Sequence, residues 1–593
     1  MSTKIASEIL VERLIAWGVD TVFGIPGDGV NGVMEALRRH ADDLRFVLVH
    51  HEEAAAFMAC AHAKSTGRLG VCVATSGPGG IHLLNGLYDA KLDHQPVLAI
   101  TGMQSTSVLG TGFQQEVHLE HLFADVAEYN VTVTNPVSIA ALTDFAVRTA
   151  LARRTVSHMT IPVDLQEATE LENPWEGGLG TSRAPKTAPI YITPPGTPRA
   201  GDLQRAADVL NAGSKVVMLV GQGARHARAE VIETATRLGA PIVKSLLGKD
   251  AVPDDHPLCI GGLGLLGTRP SEDVMDGCDT LFMVGTSFPY TAFLPEPGKV
   301  KCVQIDVDPV RAANRMPTDV PLVGDSRETL LALLPLIQEH GDRSFLAEAQ
   351  DGMRSWFENM HALEDADRSP IQPQYLMHVL DELTADDAVM TCDSGTIATW
   401  AARHWTIRGA REFYLSGNLA TMAPGLPYAN AIQLAHPGRQ VVAFGGDGGF
   451  AMLMAEFNTA CRYGLPIKVV VCNNGLLGQI LWEQMALGFP EFGVRWDQPF
   501  DFAPWADACG GKGVTVTEPA QLRDALASAL RFDGPALVDV RVNPDEPPMP
   551  AKIQYGQAKG FLEAFLHGQG RRSTIASTLF RDKISQLTER IRS

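Results

Sequence analysis

Two oxygen-bearing side chains, Asp447 and Asn474, are of the right type and spacing to hold a cation. Asp447 lies in RQVVAFGGDGGF and Asn474 in IKVVVCNNG. A carboxylate and an amide oxygen suit a hard ion such as Mg2+, which takes few protein oxygens and fills its shell with water or phosphate oxygens. Gly446, Gly448 and Gly449 around the aspartate would let main chain approach a phosphate closely. Alone, each fragment reads as a turn, since Asp-Gly and Asn-Gly are common turn dipeptides. At the two ends of one supersecondary unit they read as a metal–diphosphate site.

The elements around them supply that unit. The apolar runs about Val441 and Val469 predict buried parallel strands, and MLMAEFNTACRYGLP between them is long enough for the crossover helix of a βαβ unit. Asp447 and Asn474 then fall just past the carboxyl ends of neighbouring strands, where open α/β sheets bind ligands. Similar alternation runs through the chain. In residues 1–175, Ile9, Leu10, Leu14 and Trp17 share a helical face with Gly18 as the stop. TVFGIPG, RFVLVH, LGVCVATSG and QPVLAITG read there as short buried strands. A Pro- and Gly-rich stretch with TPPGTP reads as a linker over 176–200. A second α/β region over 201–345 carries KVVMLVG, APIVKS, DTLFMVGT and VKCVQIDVD, and a third covers 360–548, leaving a tail of 549–593. The expected fold is α/β, with three doubly wound parallel-sheet domains.

Length and composition are consistent with this. A chain of 593 residues is too long for one core. It is 45% hydrophobic and 20% charged, as in ordinary soluble proteins. A net charge of −19 argues against a general nucleic-acid binder. The nine cysteines include no CxxC pair, which predicts reduced thiols and a cytoplasmic protein. No signal segment and no apolar run long enough to span a bilayer is evident.

Two further groups could do chemistry. Glu52 and Glu53, in VHHEEAAAFMACAHAK, fall where a strand ends and a helix begins; the helix dipole alone would favour carboxylates there. In the central region glycine turns follow each apparent strand: Gly221 and Gly223 in GQGA, Gly248 in LLGKD, Gly264 in GGLGLLG, and Gly285 with Ser287 in GTSFPY. Asp306 in IDVD and Asp325 in VGD are acids placed after strands. Such turns bring main-chain amides to a pyrophosphate and such acids bind ribose hydroxyls, although a βα turn also uses glycine for geometry alone.

The GDG and NN elements at this separation resemble the signature of thiamine diphosphate (ThDP) enzymes, and other segments follow in that family's order. The resemblance implies that Asp447, Asn474 and the main-chain carbonyl of Leu476 bind Mg2+ against the diphosphate. The HE-x-AAA arrangement resembles the family's glutamate motif and selects Glu52 as the carboxylate that activates the cofactor's pyrimidine. SGPGG, with Gly77 and Pro78, resembles the turn beside the cofactor, and FQQE places Gln115 near the active centre. In NLATMAPGLP, Met422 matches the bulky residue that bends the cofactor, with the Ala420 carbonyl facing its amino group. Ser394 and Gly395 in CDSGT would approach the diphosphate. The central glycine turns resemble the FAD-binding domain of pyruvate oxidases and acetolactate synthases.

Over essentially the whole chain the resemblance is closest to quinone-linked pyruvate oxidoreductases, on GTGFQQEVHLEHLF, GTSFPYTAFLP, GTIATWAARH and GDGGFAMLMAEF. It implies decarboxylation of a small 2-keto acid, electron transfer through FAD to a quinone, and a homodimer or tetramer with each ThDP between two subunits. A rival is carbon–carbon bond formation of the acetolactate synthase type, with FAD idle or absent. One position departs: Gln479 stands where the quinone-linked enzymes tend to have phenylalanine, followed by Trp482 and Glu483. The segment around IQYGQAKGF is similar to that family's tail. Beyond it Ile575, Leu579, Phe580, Ile584, Leu587 and Ile591 form a stripe among basic residues, the pattern of a helix that lies on a membrane surface or packs on a neighbouring subunit. A peripheral position on the inner face of the cell membrane is the corresponding expectation.

Overall fold

The computed structural model describes residues 4–169, 185–193, 196–498, 500–548 and 555–581. The distal part of the basic stripe, including Ile584, Leu587 and Ile591, lies outside them, as does part of the 176–200 stretch.

Runs of Val, Ile and Leu too short for helices form strands covered on both faces, as in parallel sheets flanked by helices. Six of them, β1 (Thr21–Gly24), β2 (Arg45–Leu48), β3 (Gly70–Ala74), β4 (Val97–Met103), β5 (Ala127–Thr132) and β6 (Val156–Pro162), make the first sheet, in the order β2-β1-β3-β4-β6-β5. The second contains β7 (Val216–Val220), β8 (Ile242–Lys244), β9 (Cys259–Gly262), β10 (Thr280–Val284), β11 (Lys301–Asp306) and β12 (Val320–Val323), ordered β12-β11-β10-β7-β8-β9. The third contains β13 (Val389–Cys392), β14 (Glu412–Leu415), β15 (Val441–Gly446), β16 (Lys468–Asn473), β17 (Lys512–Val516) and β18 (Ala536–Arg541), ordered β14-β13-β15-β16-β18-β17. The first and third sheets therefore share one topology, while the second has the order typical of dinucleotide-binding sheets.

The strands read from sequence in the first region are β1–β4. β6 is less visible because polar residues occupy its interior. His158 is buried, stacks on Phe123 at 3.8 Å between centroids and bonds to Thr101 and Asn130. The first and third domains are fused through one core: the helix Glu52–Thr66 packs on the helix Gly425–Ala435, with Phe57 against Tyr428. Among the described residues no helix is long and apolar enough to cross a membrane.

Candidate active site

In the third sheet, strand order reverses between β13 and β15, which opens a crevice at their carboxyl ends. β13 feeds Asp393, Ser394 and Gly395, the last capping the helix Thr396–His404 with φ 122°. That dihedral is one only glycine adopts without strain, and it turns the first N–H groups of the helix toward the crevice. β15 feeds Asp447 through Gly446.

The glycines have distinct reasons to be there. A Cβ on Gly449 would lie 2.4 Å from Asp393 Oδ2, and one on Gly448 3.0 Å from Leu477 and 3.4 Å from the Met422 methyl. At Gly446 the nearest atom is 3.8 Å away, so the fold itself does not demand glycine at that position. Gly448 and Gly449 also leave room for Met422, Leu477 and Asp393.

Asp393 is a residue the sequence reading missed. It is buried, and Oδ1 accepts from the Gly425 amide at 2.7 Å, fixing the start of the helix behind Met422. Burial pushes its carboxyl up to about 7. Within NLATMAPGLP, Ala420 and Ala423 have φ of 55° and 78°, left-handed values that non-glycine residues hold only under constraint. The carbonyl of Ala420 is thus set by a strained turn rather than by ordinary strand geometry.

Asn474 lies two residues past Cys472, the register partner of Gly446 on the adjacent strand. Its Oδ1 accepts from Leu476 N at 3.1 Å, leaving a second lone pair for another partner. The loop is clamped by 494–496: Leu477 N donates to Val494 O and Trp496 N to Gly475 O. Trp496 also donates from its indole to Asp447 Oδ2 at 2.9 Å, so one residue ties both loops together, through its main chain and its side chain. Burial raises the Asp447 carboxyl to about 6 against that hydrogen bond. Gln479 and Glu483 occupy one face of the helix Gly478–Ala486, bonded to each other at 2.9 Å.

The first domain gathers a second constellation. Glu52 opens the helix Glu52–Thr66, and its Oε2 lies 3.0 Å from His82 Nδ1. A Cβ on Gly79 would stand 3.5 Å from Glu52 Oε1, which puts the carboxylate over the SGPGG turn. Gly77, with φ 61°, caps the helix that Pro78 begins, and Gln115 packs on Gly77 while its Oε1 accepts from Ser76 at 3.4 Å. Glu53 has a partner of its own, Asn85 at 2.6 Å, and Asn85 also bonds Thr421 beside Met422.

The loop before Glu52 is held by the third domain. Buried Glu456, at the start of the crossover helix Glu456–Arg462, accepts from the main-chain amides of His50 at 2.9 Å and His51 at 3.2 Å. The Tyr463 hydroxyl also helps to place this loop, accepting from Leu48 N at 2.8 Å. Among the described residues no hydrogen bond joins Glu52 to Asp447, Asn474 or Met422.

Three family descriptions match this chain in order: the thiamine pyrophosphate enzyme N-terminal TPP binding domain over residues 5–122, the central domain over 203–333 and the C-terminal TPP binding domain over 393–540. The chain belongs to the thiamine pyrophosphate enzymes. It is 41% identical to YdaP of Bacillus subtilis, described as thiamine pyrophosphate-containing, over 95% of this chain and 96% of that protein. It is 31% identical to pyruvate oxidase of Lactiplantibacillus plantarum, over 95% and 93% of the two chains. It is also 31% identical to the acetolactate synthase isozyme 3 large subunit of Escherichia coli, over 93% and 97%. It is a ThDP-dependent enzyme, and its relatives include a pyruvate oxidase and acetolactate synthases.

The third-domain crevice fits this cofactor. Asp447 is a buried carboxylate whose side-chain partner is an indole N–H, and buried carboxylates are ordinarily paired with a cation or metal. The donors offered there are all oxygens, as Mg2+ requires.

The central domain of this thiamine pyrophosphate enzyme has the dinucleotide-type order, with its crevice between β7 and β10. Its glycines first of all pack on one another. A Cβ on Gly221 would lie 2.5 Å from Gly285 O, one on Gly285 2.5 Å from Gly223 C, and one on Gly248 2.7 Å from Gly221. Close backbone packing by itself requires glycine at those turns. Gly264 (φ 99°) faces Phe288, and Ser287 precedes that ring. Asp325 caps the helix Ser326–Leu333 and pairs with His226 at 2.8 Å, a structural role that sequence could not separate from ribose binding. Asp306 is buried at the end of β11, and burial raises its carboxyl.

The tail belongs to the third domain more closely than sequence implied. The helix Tyr555–Leu566 lies on Gly478–Ala486, with Phe561 stacked on Trp482 at 6.3 Å and Ala564 buried beside Met485. A Cβ on Gly560 would lie 2.0 Å from Ala486 O, so glycine permits the helices to touch. Ile575 and Leu579 of the stripe also pack here, while Phe580 is exposed. The stripe is therefore not wholly free to face a membrane.

Proposed function

We propose that this enzyme oxidatively decarboxylates pyruvate, or a related small 2-keto acid, with electrons passing through FAD to a quinone-type acceptor. Pyruvate and water then yield acetate, carbon dioxide, two protons and two electrons. The observation that carries this reading is the tail seated on the helix that bears Gln479 and Glu483. Its sequence is similar to the quinone-linked tail, and it adjoins the residues that follow the metal loop. When bound, ThDP supplies the nucleophilic carbon and FAD the two-electron acceptor.

The chain's own residues would act as follows. Asp447, Asn474 and the Leu476 carbonyl hold Mg2+, and the amides after Gly395 face the diphosphate. Met422 backs the cofactor and the Ala420 carbonyl accepts from its amino group. Glu52 holds a proton at the pyrimidine nitrogen, where a carboxylate shifts the ring toward its reactive tautomer. Gln115, Gln479 and Glu483 contact the keto acid. Gly221, Gly223, Gly248, Gly264, Gly285, Ser287, Asp306 and Asp325 are the FAD-binding set. Two chains complete each centre, Glu52 coming from one and Asp447, Asn474 and Met422 from the other, so the enzyme is a homodimer or a larger homo-oligomer. The exposed Leu562, Leu566 and Phe580 give the tail an apolar surface for reversible membrane contact. Flotation with anionic vesicles, with and without pyruvate, tests that contact, and its absence in both states rejects it.

Gln479 favours one second reading. An amide there can bond a second keto acid, as carboligation of the acetolactate synthase type requires. Product analysis with pyruvate and a dye acceptor separates the two. Acetate in step with dye reduction supports the oxidase, and acetolactate without dye reduction supports the carboligase.

A further inference from the structure

Outside the crevice, three histidines surround one carboxylate. Glu364 follows the helix Ser344–His361, which leads from the second sheet toward the third. Its Oε2 receives His361 Nδ1 at 2.7 Å and His378 Nδ1 at 3.0 Å, and its Oε1 receives His404 Nδ1 at 3.0 Å. His378 projects from the helix Pro373–Leu383, and His404 ends the helix Thr396–His404. Side-chain exposure grades across the cluster: 1% for His404, 8% for Glu364, 32% for His378 and 63% for His361. The group is thus anchored inside and open on one side.

We propose that His361, Glu364 and His378 form a binding site for a divalent transition metal of the Zn2+ type, outside the thiamine pyrophosphate centre. Two imidazole nitrogens and a carboxylate oxygen are the donor set Zn2+ takes when it keeps an open position. Metal–ligand bonds near 2.0–2.1 Å put donor atoms about 3.3 Å apart. The present spacings of 2.7 and 3.0 Å need only a slight withdrawal of the rings, and the exposed His361 has room for it.

The surroundings match what metal-bound histidines require. His378 turns its far nitrogen toward Glu382 Oε1 at 3.6 Å, and Glu382 is itself paired with Arg523. A carboxylate on the far side of a ligand imidazole fixes its orientation and raises its basicity. His404 does the equivalent for Glu364, holding the oxygen that does not face the other two rings.

The place in the fold gives the ion a consequence. It would tie the end of the connecting helix to the helix Pro373–Leu383 of the third domain, and through the Glu364–His404 bond to a second helix. That second helix, Thr396–His404, begins at Gly395 on the diphosphate crevice. The inference does not depend on the oxidase reading.

The test uses the full-length enzyme with ThDP and Mg2+ present, titrated with ZnCl2 by calorimetry and with Co2+ by visible absorption. One saturable site per chain is expected, with Co2+ bands of a nitrogen- and oxygen-ligated ion. His361→Gln and His378→Gln are each expected to weaken Zn2+ binding about 100-fold or more, beyond the upper range for loss of an outer partner. His361 is mostly exposed, so that variant retains the fold. Absence of saturable binding, or binding unchanged in both variants, overturns the proposal. So does binding that is lost in His82→Gln instead, which would put the ion at the Glu52–His82 cluster.

Discussion

Asp447 is expected to weaken the fold it belongs to until a cation arrives. Burial raises its carboxyl from 3.8 to about 6. The folded value lies above the unfolded one, so ionisation disfavours the folded state. The penalty is absent below about pH 4, grows as pH rises, and is complete above about pH 6. At 1.36 kcal/mol per pKa unit, that rise amounts to about 3 kcal/mol. Asp447→Asn removes the charge and keeps an oxygen for the Trp496 indole. Freed of metal and ThDP at pH 7.5, the variant should therefore be more stable than the parent by about 3 kcal/mol. This advantage should fade as pH falls toward 4. Adding Mg2+ and ThDP should reverse the order, because a ligand that binds only the folded state stabilises only the chain that can bind it. Urea unfolding of both proteins, with and without ligands and across pH, provides the assay. A ligand-free variant that is no more stable than the parent at pH 7.5 would refute the reasoning, as would undiminished Mg2+ affinity.

Other expectations follow from the same contacts. Glu456→Ala strands the amides of His50 and His51 and the Thr459 hydroxyl, at about 1–3 kcal/mol each, whereas Glu456→Gln keeps an oxygen for the two amides. The alanine variant should lose stability and slow proton exchange at the reactive carbon of bound ThDP, and the glutamine variant should change little; equal effects would discount the positioning role. Glu52→Gln should bind ThDP with near-parental affinity yet slow that exchange by orders of magnitude, so unchanged exchange would mean another carboxylate serves. Trp482→Ala should release the tail, at about 3–5 kcal/mol of lost packing, and limited proteolysis should then remove the C-terminal segment faster than in the parent.

Much of this fold was legible because its signals are local. The apolar runs of β15 and β16, and the loops after them, announce a βαβ unit within one stretch of chain. Helix-breaking Gly18 likewise ends the first helix where expected, with φ 80°. What stayed hidden depends on partners distant in sequence. Nothing near Asp393 says that Gly449 must be small to admit it, and nothing near Trp496 says that its indole reaches Asp447. Glu456 reads as one acid on a crossover helix, yet it holds the loop before Glu52. The central glycines show the opposite limit: Gly221, Gly223 and Gly285 pack backbone on backbone, so glycine there does not by itself signal a pyrophosphate turn. The shared topology of the first and third sheets was also invisible, since strands such as β6 carry polar residues inside.

The most direct test of the central claim is the anaerobic visible spectrum of the purified enzyme, reconstituted with ThDP and Mg2+, before and after pyruvate. The account predicts a flavin spectrum that bleaches on pyruvate, with acetate formed in stoichiometric amount and colour restored by a quinone. A protein without flavin would contradict it, as would a flavin that stays oxidised while acetolactate accumulates.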